Sequence, residues 1–325
     1  MLDKYERKFA KLRVDAVPGR WPANTTNRAP HKPLLLLSLI DLFAEGSVTG
    51  NLIKLSTELM QLFGEYWSLV MPSDSHSSIA LPFFHLKTDG FWHLIPQAGK
   101  ETLLAVAHQI RSVNQINETI VGAQLDEELY TLLCVQDMRD ALRAVLIQTY
   151  FSSDMYPRLV EQGHINLEGF QYSQKLLEKA RTKIIKEASI HAQEVSRKVR
   201  DQGFRRAVVN AYEHRCAICG IRMLTPDGHT AVDAAHIIPW RVNQNDDPRN
   251  GMALCGLCHW TFDEGLVTVS SRYLVIISQL LTANTNVAGH LATTTGRPII
   301  VPVEDALHPD HDALSWHRSK IFRKD

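Results

Sequence analysis

Two kinds of reactive side chain crowd into residues 216–263. The first is a pair of C-x-x-C knuckles, Cys216/Cys219 and Cys255/Cys258, which together offer four thiolates. Four sulfurs from two such knuckles suit a closed tetrahedral zinc site with no coordination position left open, so the ion is structural. A redox C-x-x-C would need no second copy flanking a histidine series. Such a zinc pins the two ends of the segment together and replaces the hydrophobic core that so short a unit lacks.

The second kind is the ordered series His236, Asn250 and His259, with Asp233 and Asp263 nearby. VDAAHIIPW reads as a strand closed by a proline, so His236 stands where the strand opens into a loop. Asp233, three residues earlier, points to the opposite side unless the strand bends. If CHWTFDEG starts a helix, His259 and Asp263 are at i and i+4 and share a face. A histidine and a carboxylate so placed can hold a divalent metal, while a separate neutral histidine takes a proton from water.

The elements that must position this chemistry read as follows. Residues 3–12 form a short amphipathic helix, and 17–27 a loop broken by Pro18, Gly19 and Pro22. Pro33 suits a helix's first turn, and 34–43 are apolar almost all round, so that helix is buried on most sides. Arg28, His31 and Lys32 then sit at its N-terminus, where free N–H groups favour an anion. Residues 52–67 read as a second helix, and 83–87 and 91–95 as a β-hairpin about the turn TDG, with Pro82 at a strand start. Residues 101–150 read as helical again.

The pattern weakens over 151–171, which marks a domain boundary, and a long charged helix follows over 172–200. Basic residues outnumber acidic ones by ten to four between Lys175 and Arg206, which fits either a solvated face or contact with a DNA backbone. Residues 204–212 read as one more short helix leading into the first knuckle. After the catalytic segment comes a strand-like stretch beginning at residue 266. Near the end, Trp316, His317, Arg318 and Lys320 could meet DNA.

Composition sets the frame. The 325 residues allow two ordinary domains, and 45% hydrophobic residues argue against wholesale disorder. Charge balances at 35 basic against 35 acidic residues, so bulk electrostatics announces no nucleic-acid partner. No apolar run reaches the roughly 18 residues needed to span a bilayer. The N-terminus MLDKYERKFAKL lacks the apolar centre of a secretory signal, so no membrane partner and a cytoplasmic location are expected. Five cysteines make no disulfide framework in a chain of this size, and Cys134 stands alone.

AHIIPW…DDPRNGMALCGLCHWTFDEG resembles the HNH endonucleases of ββα-metal fold whose hairpin is braced by a four-cysteine zinc site; the likeness covers about residues 204–278. The resemblance implies His236 as general base, Asn250 as the residue that fixes the loop and orients the base, and His259 as a ligand of the catalytic ion. Some family members carry a metal-binding Asp or His just before the base, where this chain has Ala235. Asp233 is therefore nominated as second ligand, with Asp263 as the alternative.

Over about residues 5–150, RAPHKPLLLL and LPFFHLKTDGFWHL resemble the sulfur-binding domain of McrA-like, phosphorothioate-dependent restriction endonucleases, and WHRSKIF near the C-terminus is also similar. The resemblance implies an apolar pocket lined by Leu81, Pro82 and Phe83, with Arg28, His31 and Lys32 contacting phosphate or base. Leu81 stands where relatives often have an aromatic.

The expected fold class is α+β: a mainly helical N-terminal domain with a β-hairpin or small sheet, then a ββα-metal nuclease domain braced by zinc. The expected domains are 1–151 for recognition of modified DNA, 152–203 for a linker and basic helix, and 204–325 for the nuclease and its tail. The expected function is a modification-dependent, type IV-like restriction endonuclease. It acts on double-stranded, phosphorothioated DNA with structural Zn²⁺ and one catalytic Mg²⁺, Mn²⁺, Co²⁺ or Ni²⁺. The alternatives are a nuclease reading a methylated base or unmodified sequence, and a zinc-braced DNA-binding protein that does not cut. Double-strand cleavage from one site per chain suggests a homodimer, with the 172–200 helix as a candidate pairing surface.

Overall fold

The computed structural model describes residues 1–75, 78–106, 110–182, 196–225, 228–281, 283 and 289–324. The chain divides into two compact units, Met1–Leu167 with Thr225–His229, and Glu168–Leu224 with Thr230–Asp325. Among the described residues, no helix is long and apolar enough to cross a membrane.

The first unit is mostly helical. Its helices are α1 (Leu2–Phe9), α2 (His31–Ala44), α3 (Thr57–Val70), α4 (Ala80–His85), α5 (Glu101–Val106), α6 (Val113–Thr119), α7 (Glu127–Leu133) and α8 (Gln136–Tyr150). Helix α9 (Tyr156–Thr182) begins here and runs on into the second unit's residues. Every residue from Lys32 to Phe43 in α2 is buried, as its all-round apolar sequence requires, and α3 and α8 pack against it. Ser56 caps α3 by accepting from the Leu59 N–H at 3.2 Å. Ser112 and Gln115 form a full capping box on α6. Each such cap is worth about 1 kcal/mol.

The sheet of this unit differs from the expected hairpin. Residues 83–87 are not a strand: Ala80–His85 is helical, followed by a 3₁₀ turn over Leu86–Asp89. Pro82 accordingly sits in a helical first turn, where its missing N–H costs nothing. Strand β1 (Trp92–Pro96) pairs antiparallel with β2 (Ile120–Leu125), a partner from within the stretch expected to be helical, with Trp92 opposite Leu125.

The second unit is built around a ββα core. Helix α10 (Arg197–Ala211) precedes β3 (Val232–His236), α11 (Trp240–Asn243), β4 (Gly251–Cys255) and α12 (Gly256–Asp263). Strands β3 and β4 pair antiparallel, His236 facing Gly251 and Val232 facing Cys255. A short hairpin follows, β5 (Val267–Val269) with β6 (Val275–Ile277), and then α13 (His311–Lys320).

Two glycines let α10 come close. A Cβ on Gly203 would meet the Gly169 carbonyl of α9 at 2.8 Å, and one on Gly251 would meet Val208 at 2.6 Å and Phe204 at 2.9 Å. The single helix expected over 172–200 is interrupted: Ser196, with non-helical dihedrals (φ −58°, ψ 149°), caps α10 by accepting from Val199. Residues 183–195 of that expectation lie outside the described residues. The segment 151–171, expected to be a weakly patterned boundary, is largely the first half of α9.

Candidate nuclease centre and its four-cysteine knot

The first knuckle follows two residues in the left-handed region, Glu213 (φ 50°) and His214 (φ 60°), which turn the chain sharply out of α10. The Cys216 N–H donates to Ile221 at 2.8 Å, and Ala217 donates to the Ala253 carbonyl of β4 at 2.8 Å. The second knuckle straddles the start of α12: Cys255 is its N-cap and Cys258 lies in its first turn, where the helix dipole favours thiolate. The four Sγ atoms lie within 4.8 Å of one another, with Cys219 and Cys255 3.7 Å apart.

A tetrahedron with metal–sulfur bonds of about 2.3 Å has edges of about 3.8 Å, so the knot matches zinc in donor type, number and spacing. Its sulfurs already interact strongly. The Cys258 thiol donates to Cys216 and draws that thiol down to about 5, while Cys258 itself is pushed up by the same bond and by burial. Only a cation lets all four be thiolates together.

His236 closes β3. Its ring stacks on Phe204 of α10, with centroids 3.9 Å apart and planes 10° from parallel. Its Nε2 lies 2.9 Å from Asp246 Oδ1. Asp246 is buried and also accepts from the Tyr172 hydroxyl at 3.1 Å and from Arg200 Nη1 at 3.3 Å. Burial and the carboxylate together raise the Tyr172 pKa, so that hydroxyl keeps its proton and remains a donor. The Arg200 guanidinium in turn stacks on Trp240, 3.9 Å from the ring centroid.

Asn250, 2% exposed, ties down the loop between the strands. Its side-chain oxygen accepts from Ile238 N–H at 2.9 Å, and its amide donates to the carbonyls of Ile238 at 3.1 Å and Asn245 at 3.0 Å. On α12, His259 Nε2 and Asp263 Oδ2 stand 3.5 Å apart. His236, His259 and Asp263 line one open cleft of about 620 Å³, together with Ala234, Trp240 and Arg241. Burial pushes the Asp263 carboxyl above the usual range despite the opposing pull of His259 and His236.

Asp233 is placed elsewhere. Its carboxylate accepts from Arg205 Nε at 2.9 Å, and it is Ala234 and His236, on the alternate positions of β3, that line the cleft. Of the two carboxylates considered as second ligand, the structure brings Asp263 to His259 and leaves Asp233 in an ion pair. Among the described residues, the cysteines form the only group of three or more potential ligands close enough to share one ion. His259 and Asp263 can therefore offer two protein donors, with water and phosphate oxygens to complete the shell.

Asp246, Tyr172, Arg200 and Phe204 escaped the sequence reading. Asp246 is one of two adjacent aspartates in a polar loop, and no spacing rule separates it from Asp247. Arg200 belongs to a run read as solvated or DNA-facing, yet it is buried. In the tail, His317 and Arg318 are committed inward. His317 stacks on Phe262 at 3.7 Å, its Nδ1 lies 2.8 Å from Thr268 Oγ1, and Arg318 donates to the Val269 carbonyl at 2.7 Å. Burial holds the His317 pKa down at about 4, so it braces Phe262 of α12 as a neutral ring at the edge of the same cleft.

The residues singled out in the first unit fall into two layers. Arg28 is exposed and Leu81 partly so. His31 lies between Trp21 (5.3 Å) and Trp67 (4.8 Å), and burial, aided by Arg20, lowers its pKa to about 4. Behind them, Lys32 is 7% exposed and its Nζ sits 2.6 Å from Asp89 and 3.3 Å from Thr88. Pro82 is buried, and Phe83 is wholly so, edge-on to Trp92 at 5.0 Å with its carbonyl accepting from Trp92 Nε1 at 2.9 Å. Lys32, Pro82 and Phe83 thus lie beneath the surface that carries Arg28 and Leu81.

Residues 216–270 match the family described as HNH endonuclease, and residues 7–166 match the ScoMcrA-like DNA sulfur-binding domain. The chain joins a DNA sulfur-binding domain to an HNH endonuclease domain. No curated protein matches it. A solved structure titled "Modification dependent TagI restriction endonuclease" aligns with 24% identity over 41% of this chain and 44% of that one. The chain thus spans under half of that neighbour's length, and a TM-score of 0.29 is too low for the superposition to carry any argument.

Proposed function

We propose that this chain is a modification-dependent, type IV-like restriction endonuclease that binds phosphorothioated double-stranded DNA through residues 1–151 and hydrolyses a phosphodiester at the cleft of its HNH domain. The observation that carries the proposal is the cleft itself, with an anchored imidazole, His236, and a donor pair, His259 and Asp263, lining the same space.

His236 is committed at Nε2 to Asp246, which leaves Nδ1 to take a proton from water as that water attacks phosphorus. The P–O bond to the leaving oxygen breaks, and that oxygen takes up a proton from solvent or the one now on His236 Nδ1. Asn250 holds the loop that fixes the strand end carrying His236. A divalent cation held by His259 and Asp263, with Mg²⁺, Mn²⁺, Co²⁺ or Ni²⁺ as candidates, supplies compensation for the charge that builds on the phosphate and the leaving oxygen. The four-cysteine zinc takes no part in the chemistry and holds β4 and α12 against the first knuckle.

Recognition rests on differential desolvation. Sulfur is larger and less strongly hydrated than oxygen, so an apolar wall at Leu81 and Pro82 favours it, while Arg28 and His31 meet the surrounding backbone or bases. Lys32 and Phe83 hold that surface from behind. Two chains would cut both strands, and a cytoplasmic location fits an enzyme of this class.

The test is a plasmid and duplex cleavage assay with each of the four metals, on matched DNA with and without one backbone sulfur. Cleavage dependent on both sulfur and metal, and lost in His236→Ala, is expected. Equal cutting of both duplexes removes the sulfur assignment in favour of a methylated base or plain sequence. No cutting of any DNA, with binding unchanged in His236→Ala, leaves a binding protein.

A further inference from the structure

We infer that Asp246 is the positioning residue of the catalytic base: with Tyr172 and Arg200 it fixes His236 in the Nε2–H tautomer and so assigns Nδ1 as the proton acceptor. The inference rests on the nuclease reading above and adds to it a residue outside the His–Asn–His series.

The geometry is specific. Asp246 Oδ1 stands 2.9 Å from His236 Nε2, and its carboxylate is only 3% exposed. Tyr172 and Arg200 reach the same carboxylate from α9 and α10, at 3.1 Å and 3.3 Å. Arg200, itself buried, sets its guanidinium 3.3 Å from both oxygens of this carboxylate, so charge meets opposite charge there. An ionised carboxylate can only accept, so the nitrogen facing it must carry the hydrogen. Phe204, stacked on the ring face, holds the plane of the imidazole, and within that plane an edge-for-edge flip would break the bond from Nε2 to Asp246.

The device matters at the moment of proton transfer. When Nδ1 takes the proton from water, the ring becomes an imidazolium, and the carboxylate already at Nε2 offsets the new charge with no reorganisation. The proton stays on Nδ1 until solvent or the leaving oxygen removes it, and it is not passed on to Asp246. An asparagine there preserves shape, but its amide can donate to Nε2 and so stabilise the wrong tautomer.

The test uses the full-length, zinc-loaded chain with ¹⁵N-labelled histidines. Long-range ¹H–¹⁵N spectra of the wild type should show His236 protonated at Nε2 and bare at Nδ1, and Asp246→Asn should lose that state. In cleavage assays Asp246→Asn should lower kcat about 10²- to 10³-fold with unchanged DNA affinity. In a His236→Ala background the same substitution should cost no more than about 2-fold, because a residue acting through the base has nothing left to position. Tyr172→Phe, which keeps the charge and removes one anchor, should cost a few-fold.

An Nδ1–H tautomer in the wild type overturns the inference, and that reading needs no variant, so it stands even if Asp246→Asn fails to fold. A fully active Asp246→Asn overturns it while leaving the nuclease reading intact. If the wild type cuts nothing, the nuclease reading fails, and the wild-type tautomer still decides whether Asp246 fixes the ring.

Discussion

Each unit of this chain buries an aspartate under a network of donors, and the two networks differ in one respect. In the first unit Asp41 accepts from Arg143 at 2.6 Å, Tyr66 at 2.9 Å and Asn166 at 2.7 Å. Burial alone would lower the Arg143 pKa, but Asp41 and Tyr66 more than offset this, so the guanidinium stays charged. In the second unit Asp246 takes an arginine and a tyrosine in the same way, but its third partner is an imidazole whose ring lines a cleft. A network closed on all sides serves the fold. The same network with one titratable partner turned outward can move a proton. Charge buried in a protein therefore becomes informative about function only when its partners' exposure is considered alongside it.

The largest effect that would sharpen this contrast is loss of the metal that the four-cysteine knot is built to hold. Structural zinc contributes on the order of 10 kcal/mol to small units that fold around it. Cys258→Ser, or chelation, should abolish the cooperative melting of the second unit and reduce bound zinc below one per chain, while the first unit keeps its own transition. A second unit that melts normally without metal would contradict the assignment.

His236→Ala should lower the cleavage rate about 10²- to 10⁴-fold, the range for removing a general base, with DNA affinity unchanged. Asp41→Ala should do the opposite. It should cost about 3–5 kcal/mol of stability in chemical denaturation by stranding Arg143, and leave the rate per folded molecule untouched. A variant of Asp41 that folds well but cuts slowly would erase the distinction between the two networks.

Acid supplies a smaller effect. His31 and His317 are both held near 4 when folded, against an ordinary value of 6.5. The unfolded chain thus binds protons that the folded chain refuses: their contribution is complete above pH 6.5 and is lost as pH falls toward 4. For His317, which is 1% exposed, the loss is at most about 3 kcal/mol. Denaturation midpoints at pH 7.5 and 5, with histidine titrations by NMR, check this; ring protonation near pH 6.5 in the folded protein would refute it. Least of all, Arg28→Ala should weaken DNA binding by about 1 kcal/mol and reduce its salt dependence without altering kcat.

How much of this could be read beforehand depended on sequence distance. The four-cysteine knot and the ββα core were legible because their residues recur at fixed short spacings in under fifty residues, from Cys216 to Asp263. The first unit's sheet was not, because β1 pairs with β2 across an intervening stretch that includes α6, while the apolar run over 83–87 beside TDG imitated a strand. There Phe83 and Phe84 are buried on a short helix, and apolar runs of that length do not distinguish the two states. Asp246 was invisible for a different reason: its role comes from α9 and α10 arriving at one loop, which only the folded chain brings about. Strand alternation was legible in the sequence and puts Asp233 and His236 on opposite sides of β3; the fold adds that Asp233 pairs with Arg205 while Asp263 stands 3.5 Å from His259.

The central claim is that His236 is the base of a metal-dependent nuclease. It is tested most directly by single-turnover cleavage of a phosphorothioated duplex by wild type and His236→Ala, at equal zinc content and saturating Mg²⁺ or Mn²⁺. The account predicts cutting by the wild type and a rate at least about 10²-fold lower for the variant, with both proteins bound equally to the DNA. Equal rates for the two proteins, or no cutting by the wild type with any of the four metals, would contradict it.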